Sequence, residues 1–172
     1  MRILGIDPGS RLTGFGLIEI VEKKKYTYVV SGVIKTEPKD SLPKKIHTLA
    51  TSLQAIIDQY SPDEVAIEQV FINVNPAASL VLGQARGGIL AAIALKEVPI
   101  HEYTALQVKK ALVGKGKASK SQVQYMVKNL LNFSGTPAVD AADAMAVALT
   151  HYFRTICPVE GERWQGLDRR VR

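Results

Sequence analysis

Apolar and polar positions recur along the chain in two periods, and the switches between them mark out the elements. Ile3-Leu4-Gly5-Ile6, between Arg2 and Asp7, predicts a buried strand, and Pro8-Gly9-Ser10 turns the chain after it. Period-two alternation over residues 13–21 and 26–35, around Lys23-Lys24-Lys25, predicts two antiparallel strands joined by a turn. Beyond Asp40 or Ser41, either of which can cap a helix, Leu42, Ile46, Leu49, Leu53, Ile56 and Ile57 hold one stripe to about Tyr60, and Pro62 lies just past the end. Residues 64–68 read as a strand apolar enough to be central. Pro76 starts a second helix, residues 99–103 form a short strand, and helices are predicted over 105–113, 119–131 and 138–153. Apolar periodicity is lost from Cys157 onward, where Arg163, Arg169, Arg170 and Arg172 predict a basic, flexible tail. The expectation is therefore an α/β chain with one folded domain over residues 1–156 and a tail over 157–172.

Length and composition narrow this picture. A chain of 172 residues, 47% hydrophobic, suits one domain with a full core. Cys157 is the single cysteine, which leaves no disulfide framework or cysteine zinc site and fits a reducing cytoplasm. No secretory signal pattern precedes the first strand. The apolar stretch 80–95 contains Gln84 and Arg86 and falls short of the roughly 20 residues a membrane span needs, so it reads as a buried helix and no membrane partner is expected. Gly83, Gly87 and Ala91 give that helix a smooth strip, suited either to packing on the sheet or to contact with another subunit.

Candidate chemistry begins with acids placed where acids are expensive. Asp7 closes the first apolar run, Glu68 closes Val65-Ala66-Ile67, and Asp140 and Asp143 sit among alanines in residues 138–144. A carboxylate in such surroundings must be paired, protonated or bound to a cation. No Lys or Arg adjoins any of them: Arg11 is the nearest basic residue taken for Asp7, and the windows 65–75 and 133–149 contain none. Oxygen ligands without nitrogen or sulfur suit Mg²⁺ or Mn²⁺ rather than zinc. Asp140 and Asp143, three apart near a helix start, project from one face where the helix dipole favours their charge. If Asp7 and Glu68 leave adjacent strands of one sheet, a packed helix brings all four together as a two-metal site of the kind that cleaves phosphodiesters. Singly, each acid also reads as a cap, a turn former or a surface residue.

Charge adds a partner. The formal net charge is +6, and from residue 103 to 139 the chain carries Lys109, Lys110, Lys115, Lys117, Lys120 and Lys128 without a carboxylate. Such a run is often a solvated face, but Gly114-Lys115-Gly116-Lys117 adds glycines that let the backbone approach a polyanion, which favours phosphate-backbone contact. The apolar aromatic face of an interfacial membrane helix is missing. His47, His101 and His151 are scattered, and neither a Gly-x-Ser-x-Gly turn nor a Walker-type loop occurs. The Asp7-Pro8-Gly9-Ser10 turn also suits an actin-like or sugar-kinase ATPase, but those folds need a second lobe that this length does not provide.

The ordered set Gly5-Ile6-Asp7-Pro8-Gly9-Ser10, Thr13-Gly14-Phe15-Gly16, Ala66-Ile67-Glu68-Gln69-Val70-Phe71, Leu82-Gly83-Gln84-Ala85-Arg86-Gly87, Gln107-Val108-Lys109, Lys120-Ser121-Gln122-Val123-Gln124 and Asp140-Ala141-Ala142-Asp143-Ala144 resembles the RuvC Holliday-junction resolvases over about residues 2–153. The resemblance implies a ribonuclease H-like fold, a five-stranded mixed sheet flanked by helices on both sides. It implies a homodimeric, cytoplasmic endonuclease that makes paired symmetric nicks in four-way junction DNA with two Mg²⁺ ions, for which Mn²⁺ can substitute, beside the RuvA and RuvB branch-migration proteins in recombination and repair. Asp7, Glu68, Asp140 and Asp143 match the family's acidic tetrad. Phe71 resembles an aromatic that stacks on an unpaired base, Lys109 and Lys120 match basic positions at the DNA, and Arg86, Lys115 and Lys117 are further candidates for phosphate contact. Gly83, Gly87 and Ala91 mark the candidate dimer contact. Two other readings stay open: a related nuclease acting on RNA, and a junction-binding protein without catalysis.

Overall fold

In a computed structural model of the chain, residues 1–23, 25–70, 75–132 and 137–158 are described. Phe71, Lys24 and the tail beyond residue 158 lie outside them. The elements run β1 Arg2–Asp7, β2 Leu12–Glu22, β3 Lys25–Lys35, α1 Leu42–Tyr60, β4 Glu64–Glu68, α2 Pro76–Ala94, β5 Ile100–Tyr103, α3 Ala105–Val113, α4 Lys120–Leu130 and α5 Val139–His151. The hydrophobic pattern predicted each of these, with one difference at the C-terminal end. The last helix was expected to reach residue 153, whereas regular α geometry stops at His151 and a π-helical turn, Tyr152–Ile156, continues it. The five strands form one mixed sheet in the order β3-β2-β1-β4-β5: β1 pairs antiparallel with β2, β2 antiparallel with β3, and β1-β4 and β4-β5 are parallel.

Alternation along the central strands divides the core in two. Leu4, Ile6, Leu17, Val65 and Ile67 face α1 and α2, meeting Leu49, Leu53, Ile57, Ala85, Ile89 and Ile93. Ile3, Ile18, Ala66 and Tyr103 face the other way, toward α3, α4 and α5. Helices thus cover both faces, as the resemblance implies, and β1 and β4 are buried on both sides.

α5 is the element on which the site depends. Ala141, Ala142 and residues 144–151 are all buried, and the helix lies unusually close to β1 and β2. The reason is in the strands: a Cβ on Gly5 would stand 2.8 Å from the Ala148 nitrogen, one on Gly14 would run into the Asp140 carbonyl and lie 3.2 Å from the Ala141 nitrogen, and one on Gly16 would meet Met145. Alanines on the helix and glycines on the sheet remove side chains from both sides of one contact. The sequence reading noticed only the alanines.

α2 departs from expectation. It was read as a buried helix, but only one side is covered, by Ala85, Ile89, Ala92 and Ile93, with Gly88 against Ile46 of α1. Gly83, Gly87 and Ala91 are exposed, and nothing among the described residues lies within 4 Å of a Cβ placed on either glycine. Packing of the strip on the sheet is therefore excluded. By length and composition alone α2 could cross a membrane, yet Arg86 at its middle is ion-paired with Glu102 of β5 at 2.6 Å, which ties it to the sheet edge.

Candidate active site

β1 and β4 run parallel with Ile6 beside Ile67, so Asp7 and Glu68, the next residue of each, leave the sheet side by side. After Asp7 the chain is held in its turn by Thr13, whose hydroxyl donates to the Gly9 carbonyl at 2.8 Å and accepts from the Gly9 nitrogen at 3.2 Å. Thr36 holds the same turn from β3's end, donating to the Ser10 carbonyl at 2.8 Å. α5 crosses the glycine face of β1 and β2 and brings Asp143 to these two acids. Asp7, Glu68 and Asp143 line one cleft of about 270 Å³ with Lys109, Lys120, Val108, Val123, Ala105 and Ala146.

The fourth acid stands differently. Asp140, one turn before Asp143 and half-buried, is not part of the cleft lining, although its charge is felt at Asp7 and Lys120. The spacing predicted that both aspartates would converge on one site, but of the two only Asp143 is among the residues lining the cleft.

Crowding shows in the ionisation. Burial first, then the neighbouring charges of Glu68, Asp143 and Asp140, push the Asp7 carboxyl up to about 7, with Lys120 opposing the rise. Glu68 is raised as well, by burial and Asp143, against Lys120 and Lys109. Lys120 forms a 2.5 Å ion pair with Asp143, which raises its own pKa. Gln124 donates to the other Asp143 oxygen at 3.4 Å. No basic residue adjoins these acids in sequence, but the fold supplies one: the cation comes from the start of α4, distant in sequence but packed against α5.

Two capping boxes place the lysines. Thr104 and Gln107 cap α3 reciprocally, and Ser119 and Gln122 do the same for α4. Lys120 is therefore the first residue of α4, fixed at the mouth of the cleft, and Lys109 stands one turn into α3. This Ser/Thr-x-x-Gln signature is the sequence signal that could have placed both lysines. Gly114 and Gly116, read there as allowing close approach of a polyanion, also have structural duties. Gly114 closes α3 in the left-handed conformation at φ 78°, and Gly116 leaves room for Leu106, which a Cβ would strike. Lys115 and Lys117 are exposed in the turn between α3 and α4. Arg86, in addition to Glu102, donates to the Glu68 carbonyl at 3.4 Å, so to reach a phosphate it would have to leave Glu102.

A cleft lined by acidic oxygens, with no histidine or cysteine and one ion-paired lysine, fits a hard divalent cation. Burial first, and then the neighbouring carboxylates, hold Asp7 and Glu68 above their ordinary range despite Lys120. Comparison with known proteins decides the framework in which this cleft belongs. The family model described as crossover junction endodeoxyribonuclease RuvC matches residues 3–151. The chain belongs to the RuvC family. A RuvC relative from Chromobacterium violaceum is 57% identical over 150 residues, covering 87% of this chain and 85% of its own. One from Neisseria meningitidis serogroup C is 56% identical over 154 residues, covering 90% and 86%. The solved structure of Thermus thermophilus RuvC in complex with a Holliday junction substrate superposes with a TM-score of 0.83 at 32% identity, covering 90% of this chain and 94% of that one. The fold is accordingly the ribonuclease H-like fold of RuvC.

Proposed function

We propose that this chain resolves Holliday junctions as a crossover junction endodeoxyribonuclease, with Asp7, Glu68, Asp140 and Asp143 as its catalytic acids and Mg²⁺, or Mn²⁺ in its place, as two ions per site. The observation that carries the reading is the meeting of Asp7, Glu68 and Asp143 in one cleft whose mouth is held by Lys109 and Lys120, in a chain whose RuvC relatives bear that name. Divalent cations held by these carboxylates supply positive charge to activate a water and to offset charge on the departing oxygen of a phosphodiester.

The chain's own residues do the rest. Asp7 and Glu68 are fixed by two buried parallel strands, so their spacing does not depend on a loop. Lys120 holds the Asp143 carboxylate in place by its ion pair, and Lys109, on the other wall, attracts a phosphate toward the acids that would otherwise repel it. Val108, Val123 and Ala146 give the cleft an apolar floor that strengthens each of these charge interactions. Lys115 and Lys117 extend the positive surface away from the cleft for the duplex arms, and Phe71 and Arg86 remain candidates for contact nearer the junction.

Paired incision calls for two sites related by a two-fold axis, because the junction offers symmetric strands of like polarity. The exposed Gly83, Gly87 and Ala91 strip of α2, with exposed Leu80 and Leu95 beside it, is the surface we assign to a homodimer. Work beside RuvA and RuvB in a reducing cytoplasm completes the reading. It is tested by incubating end-labelled four-way DNA, linear duplex and RNA–DNA hybrid with the protein, with and without Mg²⁺. Paired nicks on the four-way substrate alone, and only with the cation, are expected. Cleavage of the hybrid would point to the RNA nuclease, and binding without cleavage to a junction-binding protein.

A further inference from the structure

His101 and His151, scattered in the sequence, come together in the fold. Their rings lie with centroids 4.3 Å apart and planes at 33°, and both present Nε2 to the same carboxylate oxygen. His101 Nε2 is 3.5 Å from Glu64 Oε2, and His151 Nε2 is hydrogen-bonded to that atom. One ligand atom from each of the three residues lies within 4.8 Å of the others. They come from three elements: Glu64 opens β4, His101 pairs with Ala66 across β4 and β5, and His151 closes α5. On the far side of its ring, His151 Nδ1 meets the Tyr103 hydroxyl at 2.6 Å.

This group is distinct from the acidic cleft. Asp143 and His151 are on the same helix, and at 1.5 Å per residue the eight steps between them put the two groups roughly 12 Å apart. Its chemistry is also different. Two imidazole nitrogens and one carboxylate are the donor set of an open zinc-type site with a water in the fourth position, whereas Mg²⁺ prefers oxygen alone. A ligating histidine usually has its other ring nitrogen held by an outer partner, which fixes the ring and its tautomer. Tyr103 does this for His151, which is completely buried and so cannot turn away. Access comes from the other two side chains, 40% exposed for His101 and 28% for Glu64. Rotation of Glu64 away from His151 opens room for an ion about 2 Å from each donor.

We propose that Glu64, His101 and His151 form a second cation site, selective for Zn²⁺ and related late transition metals over Mg²⁺, which ties the C-terminal end of α5 to β4 and β5. Coordination through Nε2 replaces the His151–Glu64 hydrogen bond and leaves each imidazole neutral with its one proton on Nδ1, where that of His151 is donated to the Tyr103 hydroxyl.

The test is thermal unfolding of the full chain with Zn²⁺, and the visible spectrum with Co²⁺ in place of Zn²⁺, both in excess Mg²⁺. The wild type is compared with His101→Ala and Glu64→Gln, and with Asp7→Asn to account for Zn²⁺ in the cleft. At about 100 times Kd, Zn²⁺ is expected to raise Tm by roughly 5 to 10 °C in the wild type and in Asp7→Asn. His101→Ala and Glu64→Gln should lose most of that rise and the Co²⁺ absorption with it. Both altered side chains are partly exposed, so both variants are expected to fold, and either alone decides the matter. A wild type that neither shifts nor colours, or variants that keep its full response, would leave the three residues as a hydrogen-bonded network and overturn the proposal.

Discussion

Burial and like charges hold the Asp7 carboxyl up at about 7, and this has a consequence that needs no DNA to detect. Between about pH 4 and pH 7 the unfolded chain has released this proton while the folded chain retains it. The folded state then binds more protons, so stability falls as pH rises through that window, by at most about 4 kcal/mol. Asp7→Asn, which imitates the protonated acid, should match the wild type near pH 4 and exceed its Tm by several degrees at pH 8 in chelator. Thermal melts across that range check this, and equal melting at pH 8 would contradict it. The lysines divide by their partners. Lys109→Ala should lower the salt slope of junction binding by roughly 0.9, the loss of one phosphate contact. Lys120→Ala should cost cleavage far more than binding, because it frees Asp143. A single-turnover rate beside a binding isotherm separates the two, and equal effects of both substitutions would refute the division. At this scale the acids were legible because Asp7 and Glu68 close apolar strands and Asp140 and Asp143 sit among alanines at a helix start. The Lys120 pairing was not, since it depends on α4 packing against α5, which no local pattern encodes.

The contact of α5 with β1 and β2 is where an element, rather than a residue, sets the chemistry. Gly14 faces the backbone at Asp140, so any side chain there must push the start of α5 outward. Gly14→Val should cost roughly 1–3 kcal/mol through overpacking and reduce cleavage more than tenfold while the chain stays folded, since Asp140 and Asp143 move with the helix. Circular dichroism and nicking rate measured together check this; unaltered cleavage would mean that the helix position is not critical. The strands and helices themselves were readable from periodicity and from Pro and Gly at their ends. What was hidden is the pairing of glycines in one element with alanines in another, because each alone looks like ordinary tolerance of small residues. The capping boxes at Thr104 and Ser119 were readable and fix both lysine-bearing helices.

For the molecule as a whole, the open question is what meets the bare side of α2. Hydrophobicity predicted a buried helix, and the chain alone leaves Leu80, Gly83, Gly87 and Ala91 uncovered, as a surface awaiting a subunit would be. Gly87→Leu adds bulk where nothing among the described residues lies within 4 Å, so it should leave folding intact, convert a sedimenting dimer to a monomer, and abolish paired incision before single nicks. A wild type that sediments as a monomer at micromolar concentration and still makes paired cuts within one complex would contradict that arrangement. The most direct measurement of the central claim is cleavage of labelled four-way DNA by wild type and Asp7→Asn under single turnover, with Mg²⁺, with Mn²⁺ and with chelator, beside binding in each condition. Cation-dependent paired nicking in the wild type, and a loss of at least a hundredfold in Asp7→Asn with junction binding retained, is the predicted result. Nicking by Asp7→Asn at the wild-type rate, or by the wild type in chelator, would contradict the account.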